Sequence, residues 1–179
     1  MAARAQATRT SRGARSPRAA ASGLPTLDVA RAGSHARLPP RREMQTWAAA
    51  ALGRTAARSE ISLLIVDLKR SRRYNRDYRG QDKPTNVLSF SRPPTPGGVG
   101  SRSHSHVLGD LIICPKVLQQ EARAQRKPER AHWMHLFVHG LLHLQGYGHE
   151  RASDAQRMER REIRILRRFG VPNPYRSRD

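Results

Sequence analysis

Apolar residues recur along this chain at two periods, and the two predict different elements. Residues 60–67 (EISLLIVD) form a compact apolar run, polar only at Ser62 and at its two ends and rich in β-branched side chains, which predicts a mostly buried strand. Residues 26–30, 86–90 and 108–114 predict three more strands. Met44, Trp47, Ala48 and Leu52 share one face of a helix predicted over residues 42–52, and Pro39 and Pro40 break the chain before it. Residues 69–83 predict a short helix followed by a turn at Gly80. Pro115 sits where a proline opens a helix, and that helix is predicted to run to about Gln125. Pro128 and Glu129 suit the first turn of another, which continues to about Leu144 and stops at Gly146. A last helix is predicted over residues 152–169, with Met158, Ile163, Ile165, Leu166 and Phe169 as its apolar set and Gly170 at its C-cap. Residues 91–106, rich in Pro, Gly, Ser and Arg, show no periodicity and read as a loop that takes in His104 and His106.

Strands and helices are interspersed and no repeat is visible, so the pattern predicts α+β, or α/β in a single layer pair. The expected architecture is a single domain, a small mixed sheet packed with helices. The chain's 179 residues suit one domain and leave little room for two. No apolar run approaches the ~18 residues of a membrane span.

Charge adds a partner class to this picture. The chain carries 34 basic against 14 acidic side chains, a net charge of +20. Such an excess points to a polyanion, either nucleic acid or an anionic membrane face. Residues 1–25 contribute five arginines (Arg4, Arg9, Arg12, Arg15, Arg18) and no acid. That composition predicts a disordered basic extension ahead of a domain spanning residues 26–179. It is also the composition of an organellar transit peptide. Setting the five aside leaves 29 basic against 14 acidic residues, so the domain itself is basic. The single cysteine, Cys114, excludes an intramolecular disulfide framework and a thiolate zinc knuckle.

The candidate chemistry lies in the helix over residues 128–144. His132, His135, His139 and His143 step by three, four and four and form one stripe. His139 and His143 are one turn apart and can converge on one ion, while the glycines of the turn Gly146-Tyr147-Gly148 can carry His149 back toward them. Three imidazoles with an open fourth position match a catalytic zinc site, where bound water has a pKa near 7. His132 and His135 read as packing residues, or as lining of the groove. The spacing matches the metzincin pattern except where a protease places its glutamate base, which here is Gly140; a protease is therefore disfavoured. Arg79, just ahead of Gly80, could hold a phosphate by two parallel hydrogen bonds, though it is one arginine among many. Tyr74 and Tyr78 could stack on bases or on each other. Asp110, at the start of a predicted strand, could orient a ligand histidine or serve a turn.

Residues 78–90 (YRGQDKPTNVLSF), 108–114 (LGDLIIC) and 131–149 (AHWMH through HGLLHLQGYGH) together resemble the YbeY family. The resemblance covers about residues 26–175 and is strongest between 60 and 149. It implies a single-domain α+β fold with a metalloprotease-like metal site at the end of a central helix. It also implies a single-strand-specific zinc endoribonuclease that matures the 3′ end of 16S rRNA and polices ribosome quality. The family's zinc ligands fall on His139, His143 and His149, one Zn2+ per chain, and its functional arginine falls on Arg79. Arg79 and His139 are thus the expected catalytic residues. Tyr78, Lys83 and His135 are candidate substrate contacts, and Asp110 is a candidate partner for a ligand histidine. The implied partners are rRNA and ribosomal particles in the bacterial cytoplasm, with ribosomal proteins or an assembly GTPase as further contacts and no membrane. An organellar location follows if residues 1–25 are a transit peptide. The alternative function is a ribosome-assembly factor that binds RNA and holds a structural zinc. This chain departs from the family in having Gly148 where Asp precedes the third ligand, and in the longer loop opened by Ser91-Arg92-Pro93.

Overall fold

The structure, a computed structural model, describes residues 23–92 and 106–176. Most of the expected basic extension, nearly all of the loop predicted over residues 91–106, and His104 lie outside the described residues. The fold is α+β. Its strands are β1 (Thr26–Ala32), β2 (Ser59–Val66), β3 (Val87–Ser91) and β4 (His106–Ile113). They form one mixed sheet in the order β1-β2-β4-β3, parallel except for β3 against β4. The helices are α1 (Arg41–Leu52), α2 (Leu68–Arg79), α3 (Pro115–Ala124), α4 (Glu129–Leu144) and α5 (Ala152–Arg167).

Ten of the sixteen residues of α4 are buried, so the histidine helix is the central helix of the fold. It packs on one face of the sheet. Trp133, Met134, Phe137 and Leu141 join Ile61, Leu63, Leu111 and Ile113 in the main core, which α1 completes with Met44, Trp47, Ala48 and Leu52. Each large apolar side chain so buried contributes about 2 kcal/mol. On the opposite face, Val66, Leu88, Ile112 and Cys114 form a smaller core covered in part by Tyr74 of α2.

Gly140 fixes how closely α4 approaches the sheet. A Cβ there would stand 2.9 Å from Leu111 Cδ2, 3.2 Å from Ser89 Oγ and 3.2 Å from Val87 Cγ2. The position of the protease glutamate is thus a contact point between helix and sheet, where any side chain would have to displace Leu111, Ser89 or Val87. Gly109 does similar work within the sheet: its φ is +143° and a Cβ would fall 2.1 Å from the Phe90 carbonyl oxygen. The register of β2 on β4 shifts there, with Glu60 opposite Val107 and Ile61 opposite Gly109.

Two element limits differ from expectation for a physical reason. β4 begins at His106, two residues earlier than the apolar run, because Ser59 pairs with His106 and Glu60 with Val107. Long-range pairing here recruits residues that look like loop. α5 ends at Arg167, and Phe169 and Gly170 form the following turn by bonding back to Leu166 and Arg167. Its buried face is Met158, Glu162, Ile165 and Leu166, with a carboxylate next to the predicted Ile163, which is only half-buried.

Candidate functional site

α4 carries its histidines toward one end of the sheet, and Gly146, in a left-handed conformation at φ +84°, turns the chain so that His149 returns to them. His139 Nε2 and His143 Nε2 are 3.0 Å apart. The ring of His149 lies 5.0 Å from that of His143 and 6.0 Å from that of His139, centroid to centroid. One ligand nitrogen from each of the three can be chosen so that all lie within 4.8 Å of one another. The donor set suits a metal ion: three imidazoles facing an open cleft, with room for a further ligand. Burial, reinforced by repulsion from His139 and His149, pushes His143 down to about 4, so at neutral pH it offers a lone pair.

Behind the cluster stands a residue that the sequence reading missed. Glu162 of α5 is fully buried, and His139 Nδ1 donates to its Oε1 at 2.7 Å. That bond fixes the tautomer and leaves His139 Nε2 free to face the cleft. The Tyr175 hydroxyl donates to Glu162 Oε2, and His135 Nε2 lies 3.5 Å from the same oxygen. Burial alone would raise the Glu162 carboxyl; the groups around it, His135, His139 and Tyr175, outweigh burial and hold it at about 2. Burial and Glu162 together push the Tyr175 hydroxyl upward. A charged residue on the apolar face of α5, at helical spacing from Met158 and Ile165, was the available signal.

The histidines open on a cleft of about 760 Å3. Arg79 and Lys83 line it together with Asn75, Asn86, Tyr147 and Glu150. Arg79 is placed by α2, which Asp67 caps by accepting from the Arg70 amide at 2.7 Å and Gly80 ends in a left-handed turn at φ +66°. Lys83 is positioned through its backbone, whose carbonyl accepts from Asn75 Nδ2 at 2.8 Å.

Three residues singled out from sequence stand elsewhere. Asp110 is not beside the histidines: neighbours along a strand face opposite ways, and Leu111 takes the α4 side. Asp110 instead lies 3.7 Å from Arg92 and lines a separate hollow on the other face of the sheet. Tyr78 lines that same hollow, stacked on Tyr74 at 6.2 Å and edge-on to Phe90 at 4.9 Å. One residue along a helix turns by about 100°, so Tyr78 and Arg79 face different spaces. His135 does not line the cleft and packs inward against Glu162 and the Tyr175 ring. His132 is buried and bonds Glu121 at 2.8 Å, a structural contact between α4 and α3.

A family model described as "Endoribonuclease YbeY" matches residues 35–170. The chain belongs to the YbeY family. "Endoribonuclease YbeY" of Halorhodospira halophila is 46% identical over 140 residues, covering 78% of this chain and 90% of that protein. The YbeY of Alkalilimnicola ehrlichii is 48% identical over 141 residues, covering 78% and 83%. That of Neisseria gonorrhoeae is 44% identical over 154 residues, covering 84% and 88%. The fold is shared with the solution structure of TM1509 from Thermotoga maritima, at a TM-score of 0.52 and 20% identity over 83% of this chain and 94% of that one. The YbeY match takes in Arg79, Lys83 and all three histidines of the cleft.

Proposed function

We propose that this chain is a single-strand-specific, zinc-dependent endoribonuclease that hydrolyses RNA phosphodiesters in rRNA maturation and ribosome quality control, with the 3′ end of 16S rRNA as its target. The observation that carries the reading is one cleft holding both a three-histidine cluster and cations suited to phosphate, Arg79 and Lys83. His139, His143 and His149 would hold one zinc ion. When bound, it supplies a Lewis acid and a water of lowered pKa.

The remaining work falls to the protein's own groups. Glu162 keeps the His139 Nδ1 proton in place and so keeps Nε2 aimed at the cleft. Arg79 can grip two phosphate oxygens at once and offset charge that builds on the phosphorus during attack. Lys83 adds a second positive charge on the same wall. Among the described residues lining the cleft, Glu150 is the one carboxylate available to accept a proton. A glutamate at Gly140 would have to push aside Leu111, Ser89 and Val87, and the lack of a peptidase-type base there supports a nuclease over a protease.

On this reading the partners are rRNA and ribosomal particles in the bacterial cytoplasm, with ribosomal proteins or an assembly GTPase nearby. No helix among the described residues is long and apolar enough to cross a membrane. The test is the double substitution His139→Ala and His143→Ala, assayed for metal content and for cleavage of single-stranded RNA with and without chelator. Loss of both metal and cleavage is expected. Cleavage that persists in a metal-free preparation of the variant overturns the proposal.

A further inference from the structure

The net charge of the domain exceeds what the cleft uses, and the structure shows where the excess is free to act. On α2 the arginines are largely offset: Arg70 pairs with Asp67 at 2.6 Å, Arg72 with Asp82 at 2.5 Å, and Arg73 and Arg76 with Asp77 at 3.5 and 3.2 Å. Along α5 and its C-cap residue Arg168 the balance is different. Arg157, Arg160, Arg164, Arg167 and Arg168 are all exposed and follow one another at steps of three, four, three and one. These steps place them along one face, away from the buried Met158, Glu162, Ile165 and Leu166. Of the three acids in α5, Glu162 is buried, Glu159 is half-buried and Asp154 lies 3.6 Å from Arg157. Among the described residues no carboxylate lies within ion-pair distance of Arg160, Arg164, Arg167 or Arg168.

This row begins at the cleft. Tyr147 lines the cleft wall, and the guanidinium carbon of Arg157 lies 5.5 Å from its ring centroid. Arg161 covers the same ring at 5.4 Å and donates to the Ala51 carbonyl at 3.0 Å, which ties α5 to α1 beneath the row. From Arg157 to Arg167 the helix rises about 15 Å at 1.5 Å per residue. That spans about four phosphates at a stacked-strand spacing of about 3.4 Å.

We infer that the exposed arginine face of α5 is a track for the RNA backbone, receiving the strand as it leaves the cleft over Tyr147. The inference rests on the nuclease reading of the cleft and adds a second contact region to it. Charge and continuity select the occupant: a flexible polyanion that already runs through the cleft meets the row without a new docking event. An anionic bilayer fits less well, because the apolar face of α5 is spent on the core and has nothing to insert. The contacts are to phosphate, so the track adds affinity without sequence preference.

The test uses the metal-loaded full chain and the triple substitution Arg160→Gln, Arg164→Gln and Arg167→Gln. KM and kcat are measured for oligouridylates of 6 and 24 nucleotides over a range of salt. For the 24-mer, KM should rise at least about tenfold and the slope of log(1/KM) against log salt should fall by about 2, from three contacts at about 0.7 each on a single strand. The 6-mer, too short to leave the cleft, should keep its KM, and kcat should hold for both. A triple lysine variant should retain the 24-mer KM. An unchanged 24-mer KM overturns the track, as does a loss confined to binding of phosphatidylserine vesicles. Should the parent cleave neither RNA, the nuclease reading fails by itself. Fluorescence anisotropy of the intact 24-mer then decides the track: weaker binding by the glutamine variant supports it and equal binding overturns it.

Discussion

Replacing Glu162 by Gln tests whether a buried carboxylate on α5 sets the metal affinity of a site built on α4. The substitution keeps the side-chain shape and removes the charge. In the native protein Glu162 Oε1 accepts from His139 Nδ1 at 2.7 Å, and Tyr175 donates to the other oxygen. The carboxyl is held at about 2 against an ordinary 4.5. At about 1.4 kcal/mol per pKa unit, that depression corresponds to about 3 kcal/mol of stabilisation. Because the folded value lies below the unfolded one, the contribution is complete above pH 4.5 and fades as pH falls toward 2. Glu162→Gln should therefore lower apoprotein stability at neutral pH by about 3 kcal/mol, and the difference from the parent should shrink on acidification through that window. For the metal, a glutamine can accept from His139 but orients and polarises it less. Affinity should fall about 10- to 100-fold, as it does when such outer partners of a ligand are removed. Chelator competition at pH 7.5 reads the affinity, and urea melts between pH 7 and 3 read the stability. Tyr175→Phe, which leaves the carboxylate and His139 paired, should move both values less. An affinity within twofold of the parent, with the protein folded, would refute the reasoning.

Arg79→Ala separates catalysis from binding: kcat on RNA should fall about 10²- to 10³-fold while RNA affinity changes little. Equal losses in both, measured by cleavage and by anisotropy, would instead favour an assembly factor whose metal is structural. Gly140→Ala places a methyl 2.9 Å from Leu111 Cδ2 and should destabilise the fold by about 1–3 kcal/mol. Gly140→Glu should cost more and create no peptidase activity, and a stable variant that hydrolyses casein would contradict the packing argument. Gly148→Asp, by contrast, meets nothing within 4 Å of its Cβ and should leave the melting temperature within about 2 °C of the parent.

The parts of this molecule that could be read in advance are those where local pattern and tertiary environment agree. β2 is a dense apolar run that lies at the centre of the core, and α4 carries its punctuation in Pro128 and Gly146. The spacing of His139, His143 and His149 around a glycine turn was enough to foresee that they meet. What escaped depends on which face a neighbour occupies. Asp110 looked available as a partner for a histidine, yet its direction is fixed by Leu111 beside it, and that requires knowing which side of the sheet α4 covers. Glu162 was not singled out, since it lies in an arginine-rich helix and only the docking of α5 on α4 buries it beside His139. The start of β4 is likewise set by pairing with Ser59 and Glu60, nearly fifty residues away.

One half-buried network bears on how the cleft keeps its shape. Asn86, at the head of β3, donates to both oxygens of Glu121 on α3 at 3.0 and 3.1 Å, and Glu121 is also bonded to His132 of α4. Burial would raise the Glu121 carboxyl, but His132 and Asn86 keep it below the usual range, so the link stays charged at neutral pH. A single carboxylate thus clamps the two walls between which RNA would lie, the edge strand on one side and the histidine helix on the other. The gap between those walls is held by contacts of Asn86, Glu121 and His132, none of them one of the three clustered histidines. The walls that would hold a strand and the histidines that would hold a metal are in this sense separate parts of the molecule.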